Sequence, residues 1–234
     1  MLIGILFLNF NKQKRNKMKK KNNLITLLSA MFLFILITAC DANTTEYQIE
    51  DTAVDSEQEA SNFILAKDLD DDLKESLIFI REEEKLARDI YLSLYNTHGL
   101  RVFNNIAKSE QKHMDAVKFL LDLYEIDDPI TEDVLGIFQN TDLQNLYDEL
   151  LQQGNNSQTD ALKVGAAIEE IDILDLLKII ENGDVDEDIL TVYNNLKKGS
   201  ENHLRAFVRN LLAAGINYEA QYLDSDYYSS IINR

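Results

Sequence analysis

The chain is short of the residues that interrupt helices and of those that cross-link loops. Its 234 residues include one proline, eight glycines, one cysteine, three histidines and no tryptophan. So little Pro and Gly within long Leu-, Ile-, Ala-, Glu- and Lys-rich stretches disfavours a turn-rich β fold and favours helices. A single cysteine excludes an intramolecular disulfide. Positive charge is scarce as well: 23 Lys and Arg stand against 41 Asp and Glu, for a formal net charge of −18. All seven basic residues of positions 1–39 lie in a segment without any acid, which leaves 16 basic against 41 acidic beyond it, a balance of −25. Such a surface repels nucleic acid and anionic lipid and attracts cations. With 45% hydrophobic residues the chain can bury one sizeable core, and a single all-α domain is expected.

The N-terminus reads as an address rather than as fold. From Met18 to Cys40, MKKKNNLITLLSAMFLFILITAC, a basic start leads into an apolar run, Leu24 to Ala39, that is shorter than the roughly 20 residues of a membrane span. The run ends Ile37-Thr38-Ala39-Cys40, which resembles the lipobox of bacterial lipoproteins. On this reading residues 1–39 are a signal peptide whose true start is Met18, Cys40 is lipidated, and 40–70 form a flexible acidic stalk. The folded domain, 71–222, and a tail, 223–234, then work in the cell envelope, outside the cytoplasm, tethered through lipid alone. A homodimer is compatible with such a tether; a large storage cage is not expected.

Four stretches place apolar residues at spacings of three and four, the mark of a helical stripe facing a core. The first seam is Leu73, Leu77, Ile80, Glu84, Ala87, Tyr91, Leu94, and the second is Phe103, Ile106, Glu110, His113, Val117, Leu120, Tyr124. The third runs Ala166, Glu170, Ile173, Leu177, Ile180, and the fourth Ile189, Tyr193, Leu196, Ser200, His203, Phe207. One phrase is written twice: NNIAKSEQKHMDA at 104–116 returns as NNLKKGSENHLRA at 194–206, aligning His113 with His203. Upstream, Glu83-Glu84 aligns with Glu169-Glu170, Asp89 with Asp175 and Asn96 with Asn182. The chain is therefore a helix hairpin written twice. The connection between copies, 126–156, holds the only proline, Pro129, and an amphipathic stretch, DLQNLYDELLQQG, that predicts a short extra helix. Two hairpins joined by one long crossover make the connectivity of a ferritin-like antiparallel four-helix bundle.

Each seam is apolar except near its middle, where acids and imidazoles interrupt it. A buried carboxylate without a partner costs several kcal/mol, so interruptions on four helices at one level call for a common cause. Residues three apart share a helix face, so Glu110 and His113 reach inward together. Dinuclear carboxylate bundles take one Glu from each of two helices and a Glu-x-x-His pair from each of the other two. Here Glu84 and Glu170 are the single carboxylates and Glu110-x-x-His113 is one pair. The second pair is incomplete, because Ser200 stands three residues before His203.

The segment from about 72 to 222, with phrases such as REEEKLARDIY, RVFNNIAKSEQKHMDA, GAAIEEIDILDL and NHLRAF, resembles the ferritin-like superfamily, in a bacterial and archaeal branch known as a domain of unknown function. EKLARDIY is also similar to the first-helix phrase of rubrerythrin-type proteins, with Glu84 as the metal-binding residue and Tyr91 seven residues on. The resemblance implies Glu84, Glu110, His113, Glu170 and His203 as ligands of two iron ions, with Mn or Zn as alternatives. O2 or peroxide would be the reaction partner. The superfamily includes storage, oxidase and peroxidase members, so no single activity is implied. Without a second bridging carboxylate, the position at Glu170 and His203 is expected to be the weaker. Glu169, Asp172 and Glu201 are further candidate ligands, and only the repeat register favours Glu170 over Glu169.

Around that site Tyr91 either hydrogen-bonds a ligand carboxylate or fills the core, and Ser200 occupies the place of the missing acid. Glu82 and Glu83 are expected on a solvated shoulder, Arg88 in a surface or interhelical ion pair, and His98 at a helix end closed by Gly99. The asparagines at 104–105 and 194–195 are expected to hydrogen-bond between helices, and the Tyr-rich tail to fold back over the bundle. The competing reading is a non-catalytic envelope lipoprotein whose bundle holds one metal ion or none.

Overall fold

The computed structural model of the chain describes residues 69–182 and 185–234. The signal peptide, the lipidation site Cys40 and all but the last two residues of the stalk lie outside the described residues. Among the described residues every regular element is α-helical: α1 (Asp71–His98), α2 (Arg101–Leu123), α3 (Thr141–Gly154), α4 (Gln158–Asn182), α5 (Glu187–Ala213) and α6 (Ser225–Ile232). None of them is long and apolar enough to cross a membrane.

Local chemistry sets the helix ends. The Asp70 carboxylate accepts from the Leu73 N–H at 2.8 Å, and Asp71 and Asp72 add negative charge at the positive end of the α1 dipole. α1 stops at Gly99, whose φ of 71° is a left-handed conformation that a side chain would resist, with its N–H on the Tyr95 carbonyl. Only Gly99 and Leu100 separate α1 from α2, so the two helices fold back on each other as a hairpin. α4 and α5 form the second closely packed pair, while α2 meets α5 and α1 meets α4. His98 donates to the Gly154 carbonyl at 2.8 Å, pinning the end of α1 to the end of α3. Asn194 turns its amide to the Leu190 carbonyl of its own helix instead of a neighbouring one.

Two apolar layers fill the interior. One joins Leu73, Leu77 and Ile80 of α1 to Val117, Leu120 and Leu121 of α2, Leu176 of α4, and Ile189, Tyr193 and Leu196 of α5. The other centres on the rings of Tyr91, Phe103 and Phe207, with centroids 5.3–6.0 Å apart. The polar residues of the seams lie between these layers.

The charged face of α1 departs from the expectation of a solvated shoulder: every residue from Ile80 to Tyr91 is buried. The connection after α2 wraps over that face, and the α1 charges bind it down. Arg81 donates to Asp128 and to the Met114 carbonyl. Glu82, which is 3% exposed, accepts from the backbone N–H groups of Gln139 and Asn140. Lys85 reaches Asp89 at 2.5 Å and the Val134 carbonyl at 2.7 Å. Arg88, buried rather than at the surface, bridges Asp89, Asp133 and Gln111. Glu83 is buried too, but against α4.

α4 differs in a related way. Val164 to Glu170 are buried without a break, so this part of the helix has no solvent face to mark a stripe. Its inward row passes through Glu169, Asp172 and Leu176, while Leu177 is only half-buried.

Asp89 is the most demanding of the clamps, since it is fully buried and accepts from Lys85, Arg88 and the Gly136 N–H. Removing one partner of a buried ion pair leaves an uncompensated charge. Asp89→Ala is expected to destabilise the metal-free chain by about 3–5 kcal/mol in urea unfolding. Asp133→Ala, at a half-exposed side chain, should cost about 1 kcal/mol or less.

Candidate metal centre

Between the apolar layers, five side chains from four helices converge. Glu84 comes from α1, Glu110 and His113 from α2, Glu169 from α4 and His203 from α5. They form two groups of donor atoms that share Glu110: Glu84 with Glu110 and His113, and Glu110 with Glu169 and His203. His113 Nδ1 lies 2.7 Å from Glu110 Oε2 and 3.1 Å from Glu84 Oε2. His203 Nδ1 lies 2.8 Å from Glu110 Oε1 and 3.5 Å from Glu169 Oε2. The two imidazoles stack with centroids 5.5 Å apart.

These donor atoms fit a metal pair. Both oxygens of Glu110, Oε2 of Glu169 and Nδ1 of His203 are buried without hydrogen-bonding geometry to any partner, although nitrogen and oxygen approach closely. Lone pairs aimed at a common point produce that arrangement around Glu110, Glu169 and His203, while His113 Nδ1 hydrogen-bonds Glu84 Oε2 at 3.1 Å. Metal–ligand bonds of roughly 2.0–2.2 Å place neighbouring donors about 3 Å apart, which is the spacing present here. Carboxylates and imidazoles without sulfur suit Fe, Mn or Zn.

In the metal-free chain protons do the neutralising. Burial opposes charge on His113, but Glu84 and Glu110 outweigh it and push the imidazole up to about 11. His203 is pushed up to about 10 by Glu169 and Glu110 against the same burial. Burial raises Glu84 and Glu169 to about 7. Glu110 goes the other way: burial works upward, yet His203 and His113 hold it down at about 2.

The structure corrects one assignment: Glu170 does not point to this centre. Its carboxylate accepts from the Tyr218 hydroxyl at 2.7 Å and from the N–H groups of Gln221, Tyr222 and Leu223 at 2.8–3.0 Å, so it fastens the C-terminal segment. One residue along a helix is a rotation of about 100°, and in α4 that rotation brings Glu169 inward instead. Glu201 is also diverted, to the Tyr227 hydroxyl, Lys197 and Arg234. Asp172 is 2% exposed and adjoins the centre without belonging to either donor group. Ser200 is buried and spends its hydroxyl on the Leu196 carbonyl.

Two supporting residues complete the site. Tyr91 donates to Glu169 Oε1 at 2.7 Å, which fixes that carboxylate and leaves Oε2 facing His203. Gly199 had gone unnoticed in the sequence: a Cβ there would lie 2.6 Å from Cε1 and Nε2 of His113. The imidazole of α2 therefore rests on bare α5 backbone. The signal was present in the repeat, where Gly199-Ser200 replaces Ser109-Glu110 beside the duplicated histidines.

Glu169 and Glu170 give a direct test of the register. Glu169→Gln should reduce bound metal from two ions per chain towards one, read by elemental analysis. Glu170→Gln should keep both ions while destabilising the fold by about 1–3 kcal/mol and exposing the tail to proteolysis. A second expectation concerns pH. The folded-state values of Glu84, Glu169, His113 and His203 are all raised, so their stabilisation of the metal-free chain is complete below about 4.5–6.5 and lost as pH rises through about 7–11. Thermal unfolding should therefore weaken from pH 5 to 8 for this group without metal, while the gain from added metal grows over the same range as ions displace those protons.

Residues 73–234 match the family model described as Uncharacterized protein domain (DUF2202). The chain is 56% identical over 160 residues to the Uncharacterized protein MJ0754 of Methanocaldococcus jannaschii, an alignment covering 68% of this chain and 86% of that protein. It is likewise similar to the crystal structure of hypothetical protein MJ0754 from Methanococcus jannaschii, with a TM-score of 0.70, 53% identity, and coverage of 72% of this chain and 95% of that one. On a match across most of its length and identity at this level, the chain belongs to the DUF2202 family.

Proposed function

We propose that this protein is a ferritin-like, membrane-tethered metal-binding protein of the cell envelope with a dinuclear iron carboxylate centre, acting as an oxidase, a peroxide-reducing enzyme or an iron-handling protein. The observation that carries this reading is Glu110, whose two buried oxygens each lie within 2.8 Å of a different imidazole nitrogen and satisfy neither as a hydrogen bond. A carboxylate so placed suits a bridge between two cations.

Each residue has a separate task. Glu84 and His113 would hold one ion, Glu169 and His203 the other, and Glu110 both. Tyr91 holds Glu169 in orientation, and Gly199 lets His113 sit close to α5. The apolar layers on either side keep bulk water from the carboxylates, which strengthens their attraction for cations. Ser200 contributes no carboxylate, so Glu84, Glu110 and Glu169 would be the acids holding the pair. When bound, such a pair supplies Lewis acidity and, for iron, redox change towards O2 or peroxide. The helix hairpins and their long connection support the ferritin-like arrangement, and the lipobox-like Ile37-Thr38-Ala39-Cys40 supports the tether.

Protein purified without a histidine tag and loaded anaerobically should bind close to two Fe(II) per chain and oxidise them on exposure to O2, followed by ferric absorbance. A chain that stays metal-free in excess Fe, Mn and Zn contradicts the proposal. One zinc per chain without redox turnover favours the non-catalytic alternative.

A further inference from the structure

The protein treats its buried acids in two ways. Glu82 is capped by two backbone N–H groups, Asp89 by two basic side chains and a backbone N–H, and Glu170 by a hydroxyl and three N–H groups. Those acids have structural partners. Asp172 differs: it is 2% exposed and its Oδ2 meets no hydrogen-bond donor among the described residues. A carboxylate buried in that condition is costly, and no clamp or cap in the fold accounts for it.

Its position suggests what it serves. Glu169, Asp172 and Asp175 recur at every third residue of α4, so they form a row that winds about 60° around the helix per step, with steps of about 5–6 Å. The row runs from inside to outside. Glu169 is fully buried at the centre, Asp172 is 2% exposed, and the Asp175 side chain is 21% exposed and ion-paired with Lys178. Glu83 of α1, 4% exposed, is a charge neighbour of both Asp175 and Asp172. Burial raises the Asp172 carboxyl well above its ordinary range, and the neighbouring Glu83, Glu169, Glu84 and Glu110 add to the shift.

We propose that Asp175, Glu83 and Asp172 form a ladder of carboxylates along which a divalent cation passes from the surface to the dinuclear centre. The inference rests on the reading of that centre as a metal site and adds to it the route of loading. A cation moving inward meets a carboxyl at each step, displaces the protons that burial favours on Glu83 and Asp172, and sheds its water in stages. Lys178 sits at the outer end and competes for Asp175, which makes it a brake on uptake.

The test is stopped-flow uptake of Co(II) by the metal-free full-length chain, followed by visible absorbance. Asp172→Asn and Asp175→Asn are each expected to slow bimolecular uptake by about tenfold while the final two Co(II) per chain are kept, and Lys178→Gln is expected to speed it. Opposite signs at neighbouring positions are not what a loss of packing produces. Equal rates in the wild type and all three variants overturn the ladder and leave the centre intact. Loss of one Co(II) in Asp172→Asn overturns it too, by making Asp172 a ligand. A wild-type chain that binds no Co(II), Fe(II) or Mn(II) removes the metal reading itself.

Discussion

The structure is organised around the cost of holding the Glu110 carboxylate, with no exposed surface, between two imidazoles in the dry middle of a helical bundle. An ionised acid in that position is tolerated only if positive charge stands against both oxygens. Protons on His113 and His203 supply it in the metal-free chain, and two cations would supply it in the loaded one. Both states need the same convergence of α1, α2, α4 and α5, so the geometry is in place before any ion arrives. The apolar layers on either side make that convergence rigid as well as dry.

Rigidity at the centre depends on charges that never touch it. Arg81, Lys85 and Arg88 draw the long connection over the outer face of α1, and Glu170 draws the C-terminal segment over α4. Both helices are thereby buried on their outward sides, and their inward acids cannot rotate out to water. This arrangement divides the buried acids into those that hold segments together, such as Glu82, Asp89 and Glu170, and those that face the interior of the bundle. Glu83, Glu84, Glu110, Glu169 and Asp172 all belong to the inner set or border it.

Much of this was legible in the sequence, and the places where it was not share one physical cause. The stripes of α1, α2 and α5 marked their inward faces correctly, and Glu84, Glu110, His113 and His203 fall where their spacing puts them. In α4 only the repeat register favours Glu170 over Glu169, because a stretch buried without a break, 164–170, offers no polar face against which to fix the phase. Glu82 and Arg88 are buried, Arg88 within an ion pair, for the related reason that a local window does not contain the segment covering them, and Glu83 is buried against α4. Asp128 and Asp133 in the connection are the partners that Arg81 and Arg88 required, a match visible only once the connection is known to cross α1. Gly199 escaped notice because its role is an absence of atoms beside His113.

On the proposed reading Glu110 would hold both cations, one at each oxygen. Anomalous diffraction from crystals of the iron-loaded chain tests it most directly. The account requires two iron peaks, one near Glu84 and His113 and one near Glu169 and His203, each within bonding distance of a different Glu110 oxygen. Iron located elsewhere, or a centre that stays empty in crystals grown with excess iron, would contradict it.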